Sequence, residues 1–464
     1  MSNKIQFTEY LKDINFEFEK KSLQSDLISF CIELPFIDLV DIYDYLFDAY
    51  SFSLFWEETY KTSFIALGKC KNFTLNGPNK FELAKEFHDK TFNNINYLKN
   101  NFSNSYISKI IYFFSFSDNS DNRNKVPNME AVLPSILIVR DKNKVFLIKN
   151  VQLCGKLSLK EIVEEFWDLK NQIIFNLSTK QRRFIRNSKI SNFELCWHES
   201  EENLRYRISQ GIQLVDNRNI EKIVLCSKLK VKIYNKFNLI DILKRLRINH
   251  PNTCRYVWKR NMNDITFGAS PEKLFSFTKN ILSLEAIAGT TKTNLNLNDL
   301  LQSNKDVSEH KFVINYLMNA LRLMGINDFK KDKLKVISFG EIAHLCTSIT
   351  AKVDKICPFI MLKLLHPSPA VCGFPKDKAL NYIERIESFP RDNFASPIGW
   401  VGSDGNADFR VAIRGARLLD KEIEFTAGSG LVIGSVCDKE VNEIKLKILS
   451  LAKDIFSGNF LNYI

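Results

Sequence analysis

The residues with the most chemical content fall in four blocks near the end of the chain. They read LHPSPAVCGFP (365–375), VAIRGARL (411–418), TAGSGLV (426–432) and KEVNEIKLK (439–447). Arg414 sits on a stretch that reads as strand, with Val411 and Ile413 on the opposite face. Gly428 and Gly430 sit where a strand gives way to a turn, with Ser435 placed to cap the following helix. Glu443 and Lys447 lie on that helix. Glycines let backbone N–H groups approach an anion, and a helix N-terminus adds a favourable field. Guanidinium and ammonium groups bind carboxylates, while glutamates are hard oxygen ligands for a divalent cation. The set can therefore hold a small polycarboxylate together with a metal ion.

Further candidates stand upstream, each with a plainer alternative. KDVSEHKFVINYLMNALRLMG (305–325) has an apolar stripe of Val313, Leu317, Leu321 and Met324, with Gly325 as its C-terminal stop. One turn back along the stripe is Glu309. A carboxylate aligned with a buried stripe must be neutralised, paired or bound to metal; the alternative is a capping box of Asp306 and Glu309. In the last helix Val441, Ile444, Ile448, Leu451 and Ile455 form the stripe, and Glu440, Glu443 and Lys447 flank it. Glu443 and Lys447, four apart, also suit an exposed ion pair. Lys222 heads the strand KIVLCSK, where a solvated strand-end lysine is the alternative. Glu272 follows Ser270–Pro271 in FGASPEKLF, where a first-turn helix glutamate is the alternative.

The elements that must position these groups are legible in part. SILIVRDKNKVFLIKNVQL (135–153) reads as two strands about a polar turn at 141–144. LSLKEIVEEFWDLKNQIIFNL (157–177) has helical spacing, IEKIVLCSKLKVKIY (220–234) reads as a strand, and 115–129 is loop-like. With 464 residues, 45% of them apolar, the chain affords a large core. It reads as one α/β (α+β) domain over 1–464, in which 1–200 supplies sheet and helix and 201–464 the chemistry. No apolar run approaches the ~18 residues of a membrane span, and the acidic, apolar-poor start reads against a secretory leader. The ten scattered cysteines, without a CxxC pair, fit reduced thiols. The net charge of +12 comes from dispersed lysines rather than a basic, aromatic-rich patch, so nucleic-acid binding is not expected.

Taken in order, KIVLCSK, FGASPEKLF, EAIAGTTKT, KDVSEHKFV, HLCTSIT, LHPSPAVCGFP, FASPIGW, VAIRGARL, TAGSGLV and EVNEIKLK resemble the chorismate-utilising enzymes. The resemblance runs from about residue 219 to the C-terminus. It implies a large chorismate-binding sandwich of two similar halves, sheets flanked by helices, with the site between the halves. It further implies that Glu309 and Glu443 hold Mg²⁺. Arg414, Lys447 and backbone amides around Gly428 and Gly430 would bind the substrate's carboxylates. Gly289 and Thr290 would line the pocket, with His344 and Glu387 near its wall.

Within the family the closest resemblance is to isochorismate synthases. Lys222 stands where anthranilate synthases usually carry Gln, and Ala288 replaces the nucleophilic lysine of aminodeoxychorismate synthases. Ala370 and Phe394 stand where salicylate synthases have Thr and Tyr. The resemblance implies that Lys222 acts as general base on water and Glu272 as general acid on the leaving 4-hydroxyl. It also implies a cytoplasmic (or plastid-stromal) monomer that takes chorismate, needs no glutaminase subunit and binds no membrane. The product would feed menaquinone or phylloquinone synthesis, with a siderophore route or a salicylate synthase as the alternatives. Three positions depart from the family's usual residues: Lys228 for Arg, Ser396 for Gly and Ser429 for Ala.

Overall fold

Alternation along the strands decides the layers. On Ser53–Glu58, Leu54 and Trp56 enter one apolar core while Phe55 enters another; on Lys109–Phe114, Ile111 and Phe113 share the first core, and Ile110, Tyr112 and Phe114 share the second. Period-two alternation with both faces buried requires a sheet covered on both sides. The computed structural model, which describes residues 2–20, 27–58, 63–98, 107–118, 126–153, 158–179, 189–234, 237–457 and 460, contains two such sheets, of 13 and 10 strands. They meet through the first core: Phe113 of the smaller sheet lies 5.4 Å from Trp258 of the larger, and Trp400 lies 6.2 Å from Phe64 in the same sense. The second core lies under helices, as where Tyr43 meets Phe55 at 5.3 Å and Phe359 meets Tyr112 at 5.3 Å. Trp258 is fully buried; truncating it to Ala would cost about 3–5 kcal/mol.

Apart from edge strand Phe193–Trp197, which pairs with Lys222–Ile233, each sheet is built from contiguous blocks of the N-terminal and C-terminal parts of the chain. The blocks join where Cys254–Asn261 pairs antiparallel with Ser53–Glu58, and where Pro397–Gly402 pairs with Lys109–Phe114. The chain crosses from the larger sheet to the smaller between Asp264–Ser270 and Lys273–Thr278. It returns between Ala407–Val411 and Gly415–Leu419. The crossings lie side by side, since the Val411 amide donates to the Glu272 carbonyl at 3.1 Å and the Ala269 amide to the Arg414 carbonyl at 3.0 Å.

Several elements form as their sequences lead one to expect. The turn at 141–144 joins Ile136–Asp141 to Lys144–Gln152, which pair antiparallel. Helix Leu159–Thr179 forms from the expected helical segment and runs two residues past its end, and strand Lys222–Ile233 falls within its expected segment. The loop-like segment 115–129 lies partly outside the described residues; at its ends Asn128 donates to Ser115 Oγ at 3.1 Å. Every described cysteine is a free thiol. Among the described residues no helix is long and apolar enough to cross a membrane.

Candidate active site

A cavity of about 900 Å³, counting its open mouth, lies between the C-terminal parts of the two sheets. Glu272, Gly289, Thr290, Glu309, His344, Ala370, Phe394, Arg414, Gly428, Gly430, Glu443 and Lys447 all line it. Its lining runs from Val224 to Leu451. Lys222 lies just behind the lining. It is fully buried and donates to Glu309 Oε1 at 2.7 Å. The solvated strand-end reading of this lysine fails.

Helix Asn304–Leu323 carries Glu309 and begins differently from the capping-box alternative. Ser303 is the N-cap; its hydroxyl accepts from the Asp306 amide and is paired with the Asp306 carboxylate. The box is thus closed without Glu309, which is free to face Lys222. The buried stripe of Val313, Leu317 and Leu321 fixes the helix's rotation, and Gly325, with φ +76°, ends it.

Helix Cys437–Ile455 buries Val441, Ile444, Ile448, Leu451 and Ile455. This turns Glu443 and Lys447 into the cavity, where they pair at 2.6 Å with side chains only 23% and 18% exposed. The ion pair of the plainer reading exists, but inside the site. Ser435 does not cap this helix: its hydroxyl accepts from the Val432 amide, and Val436 is the N-cap. The glycine block is not a turn either. Gly428 and Gly430 lie within strand Glu422–Leu431, paired to Cys226 and Val224. What glycine supplies here is space and an open carbonyl. A Cβ on Gly430 would sit 2.7 Å from Glu309 Oε1 and 3.0 Å from Lys222 Cε, and the Gly428 carbonyl accepts from Lys447 Nζ at 2.8 Å.

Arg414 and Glu272 occupy the two crossings. Arg414 is not on a strand; it sits in a bend with φ 51°, because the chain there leaves one sheet for the other. Its guanidinium donates to Ser450 Oγ at 3.0 Å and lies 3.4 Å from His344 Nε2. Burial lowers Arg414 to about 10, partly offset by Glu443. Burial and the Arg414 charge push His344 down to about 3. A neutral ring fits the contacts: Nδ1 donates to the Gly289 carbonyl at 2.8 Å and leaves Nε2 as the acceptor facing Arg414. Gly289, with φ +74°, forms a bulge in strand Ile281–Lys292, and a Cβ there would meet Asp306 at 3.0 Å. Glu272 belongs to no helix. Burial raises its carboxyl to about 7, against opposing pulls from Lys222 and Lys447.

Charge in the cavity is balanced by lysines facing glutamates. Glu309 faces Lys222, and Glu443 faces Lys447. Burial would raise Glu443, but Lys447 and then Lys305 hold it below the ordinary carboxylate range. Two glutamates opening on one cavity fit a hard cation that draws its remaining oxygens from a polycarboxylate and water. They do not form a closed protein cage: no cluster of three or more His, Cys, Asp or Glu ligands occurs among the described residues.

Some residues at the site were not visible in the sequence. Lys305 pairs with the buried Glu440 at 2.6 Å, and Asp306 lies against Gly289. Their partners are remote in the chain, so no spacing announces them. Glu387 does not line the cavity; it forms a buried pair with Arg391 behind strand Lys222–Ile233. The three departures from the family's usual residues are each satisfied. Lys228 pairs with Glu424 at 2.7 Å, Ser396 Oγ donates to the Asn393 carbonyl at 2.6 Å, and Ser429 Oγ donates to Glu440.

A family model described as chorismate binding enzyme matches residues 10–455. Isochorismate synthase MenF of Haemophilus influenzae is 26% identical over 333 residues, which are 69% of this chain and 74% of that protein. The Bacillus subtilis protein of the same name is 29% identical over 251 residues, and the match spans 53% of its length. Anthranilate synthase component 1 of Acetivibrio thermocellus is 25% identical over 356 residues, 71% of this chain and 69% of that protein. The structure of the menaquinone-specific isochorismate synthase MenF from Escherichia coli shares the fold, with a TM-score of 0.74 at 18% identity over 96% of this chain and 99% of that one. This protein belongs to the chorismate-binding enzyme family.

Proposed function

We propose that the protein is a Mg²⁺-dependent isochorismate synthase, converting chorismate to isochorismate by water attack at ring carbon 2 and loss of the 4-hydroxyl. The observation that carries this reading is one cavity that presents Glu272, Arg414, Lys447, Glu309 and Glu443, with Lys222 just behind its lining and hydrogen-bonded to Glu309. Ala288 lines the same cavity and offers no amine to attack the ring.

In this mechanism Arg414 and Lys447 bind the substrate's carboxylates, and His344, held neutral, keeps Arg414 in place. Glu309 and Glu443 would hold Mg²⁺, which when bound supplies positive charge that polarises the ring carboxylate and draws electron density from the diene. Lys222, which donates to Glu309 in the structure, acts as the neutral amine: it takes a proton from the attacking water and returns it to solvent, from which Glu272 is reprotonated. Glu272, protonated below about 7, delivers a proton to the departing 4-hydroxyl. One hydroxyl is exchanged for another, so the reaction runs in both directions.

On this reading the enzyme is a cytoplasmic (or plastid-stromal) monomer without a glutaminase subunit. Its product feeds menaquinone or phylloquinone synthesis, the general demand for isochorismate; siderophore synthesis is the competing use. The test is purified protein with chorismate and Mg²⁺, products separated by chromatography and pyruvate measured in parallel. Isochorismate without pyruvate supports the reading. Pyruvate with salicylate, or product formed only with ammonia, overturns it.

A further inference from the structure

Glu387 and Arg391 form an ion pair whose side chains are each only 2% exposed, outside the cavity lining. Arg391 Nε and a terminal nitrogen reach the two oxygens of Glu387 at 2.8 and 2.6 Å. The same guanidinium donates to the Val371 carbonyl at 2.7 Å and the Val224 carbonyl at 2.7 Å. Glu387 in turn accepts from the Cys226 amide at 2.9 Å, and the Phe394 amide donates to the Arg391 carbonyl at 2.8 Å.

The guanidinium therefore ties together two chain segments that bear part of the site, and the backbone of Arg391 itself holds a third. Val224 and Cys226 share the strand that begins with Lys222. Val371 follows Ala370, and Phe394 lies three residues beyond Arg391. A buried ion pair is a poor source of net stability, because desolvating both charges offsets their attraction. Its specific contribution is direction: a guanidinium holds several acceptors in a fixed plane, which an ammonium cannot.

We infer that Glu387 and Arg391 are positioning residues that hold the strand bearing Lys222 in register with Ala370 and Phe394, and so set the base against the cavity wall. The inference rests on the proposed isochorismate synthase reading. A misplacement of about 1 Å remote from the chemistry can cost about 100-fold in rate. Arg391→Lys keeps a charge for Glu387 but cannot span the carbonyls.

The experiment measures kcat and KM for chorismate with Mg²⁺, corrected for folded fraction by near-ultraviolet circular dichroism. Arg391→Lys is expected to lower kcat per folded molecule about 10- to 100-fold with KM little changed. A loss of activity that merely tracks the folded fraction overturns the inference. Should Arg391→Lys not fold, Glu387→Gln, which keeps an acceptor for the Cys226 amide, is read the same way; failure of both to fold makes the pair purely structural and also overturns it. Wild-type protein that does not convert chorismate removes the reading itself, whereas wild-type turnover with unaltered variants removes the positioning role alone.

Discussion

Replacing Glu272 by Gln removes a carboxyl that burial holds at about 7 while keeping its size. The ordinary value is 4.5, so the folded protein binds this proton more tightly than the unfolded chain does. Below 4.5 both states are protonated and the group has no effect on the balance. As pH rises from 4.5 through 7 the unfolded chain gives up its proton first, and folding loses stability. Above about 7 the loss is complete. At roughly 1.4 kcal/mol per pH unit it amounts to about 3 kcal/mol. Gln does not titrate and escapes this loss. In metal-free protein without chorismate, the stability of Glu272→Gln relative to wild type should rise by about 3 kcal/mol between pH 4.5 and 8, read from urea midpoints across that range. The same variant should lose about 100-fold or more in turnover, the usual worth of a positioned acid. A stability difference that does not change with pH, or one that falls as pH rises, would refute the placement of Glu272 as a buried, protonated acid.

Wild-type turnover of chorismate should fall as pH rises through about 7, because the acid form of Glu272 is then lost; a pH profile of kcat/KM checks it. Gly430→Ala places a Cβ against both Glu309 and Lys222, so activity should drop about tenfold or more, as misplaced catalytic groups do, while circular dichroism stays that of wild type. Glu309→Gln and Glu443→Gln should each weaken Mg²⁺ binding measured calorimetrically by more than about 100-fold, beyond the loss of an outer-shell partner. Ala370→Thr combined with Phe394→Tyr should raise pyruvate release above the wild-type background, measured by a coupled dehydrogenase assay.

Apolar periodicity made the helices that carry Glu309, Glu443 and Lys447 legible, because a buried stripe fixes which side chains face inward. The strand beginning at Lys222 was legible for the same reason. The places of Arg414 and Glu272 were not. Both lie where the chain leaves one sheet for the other, and the alternation that marks a strand carries no mark of that exchange. VAIRG reads as continuous strand although Arg414 has φ 51°. TAGSG reads as a turn because glycines favour turns, yet here they keep a strand clear for Lys222 and Glu309. The resemblance puts Glu387 near the pocket's wall, and its contacts with Arg391 and the Cys226 amide place it just behind that wall.

Turnover of chorismate in H₂¹⁸O tests the central claim most directly. Attack of solvent water at carbon 2 with loss of the original 4-hydroxyl predicts isochorismate carrying one ¹⁸O in its new hydroxyl, and none when Lys222 is replaced by Ala because turnover stops. Isochorismate that retains the original oxygen, or a Lys222→Ala variant that incorporates label at the wild-type rate, would contradict it.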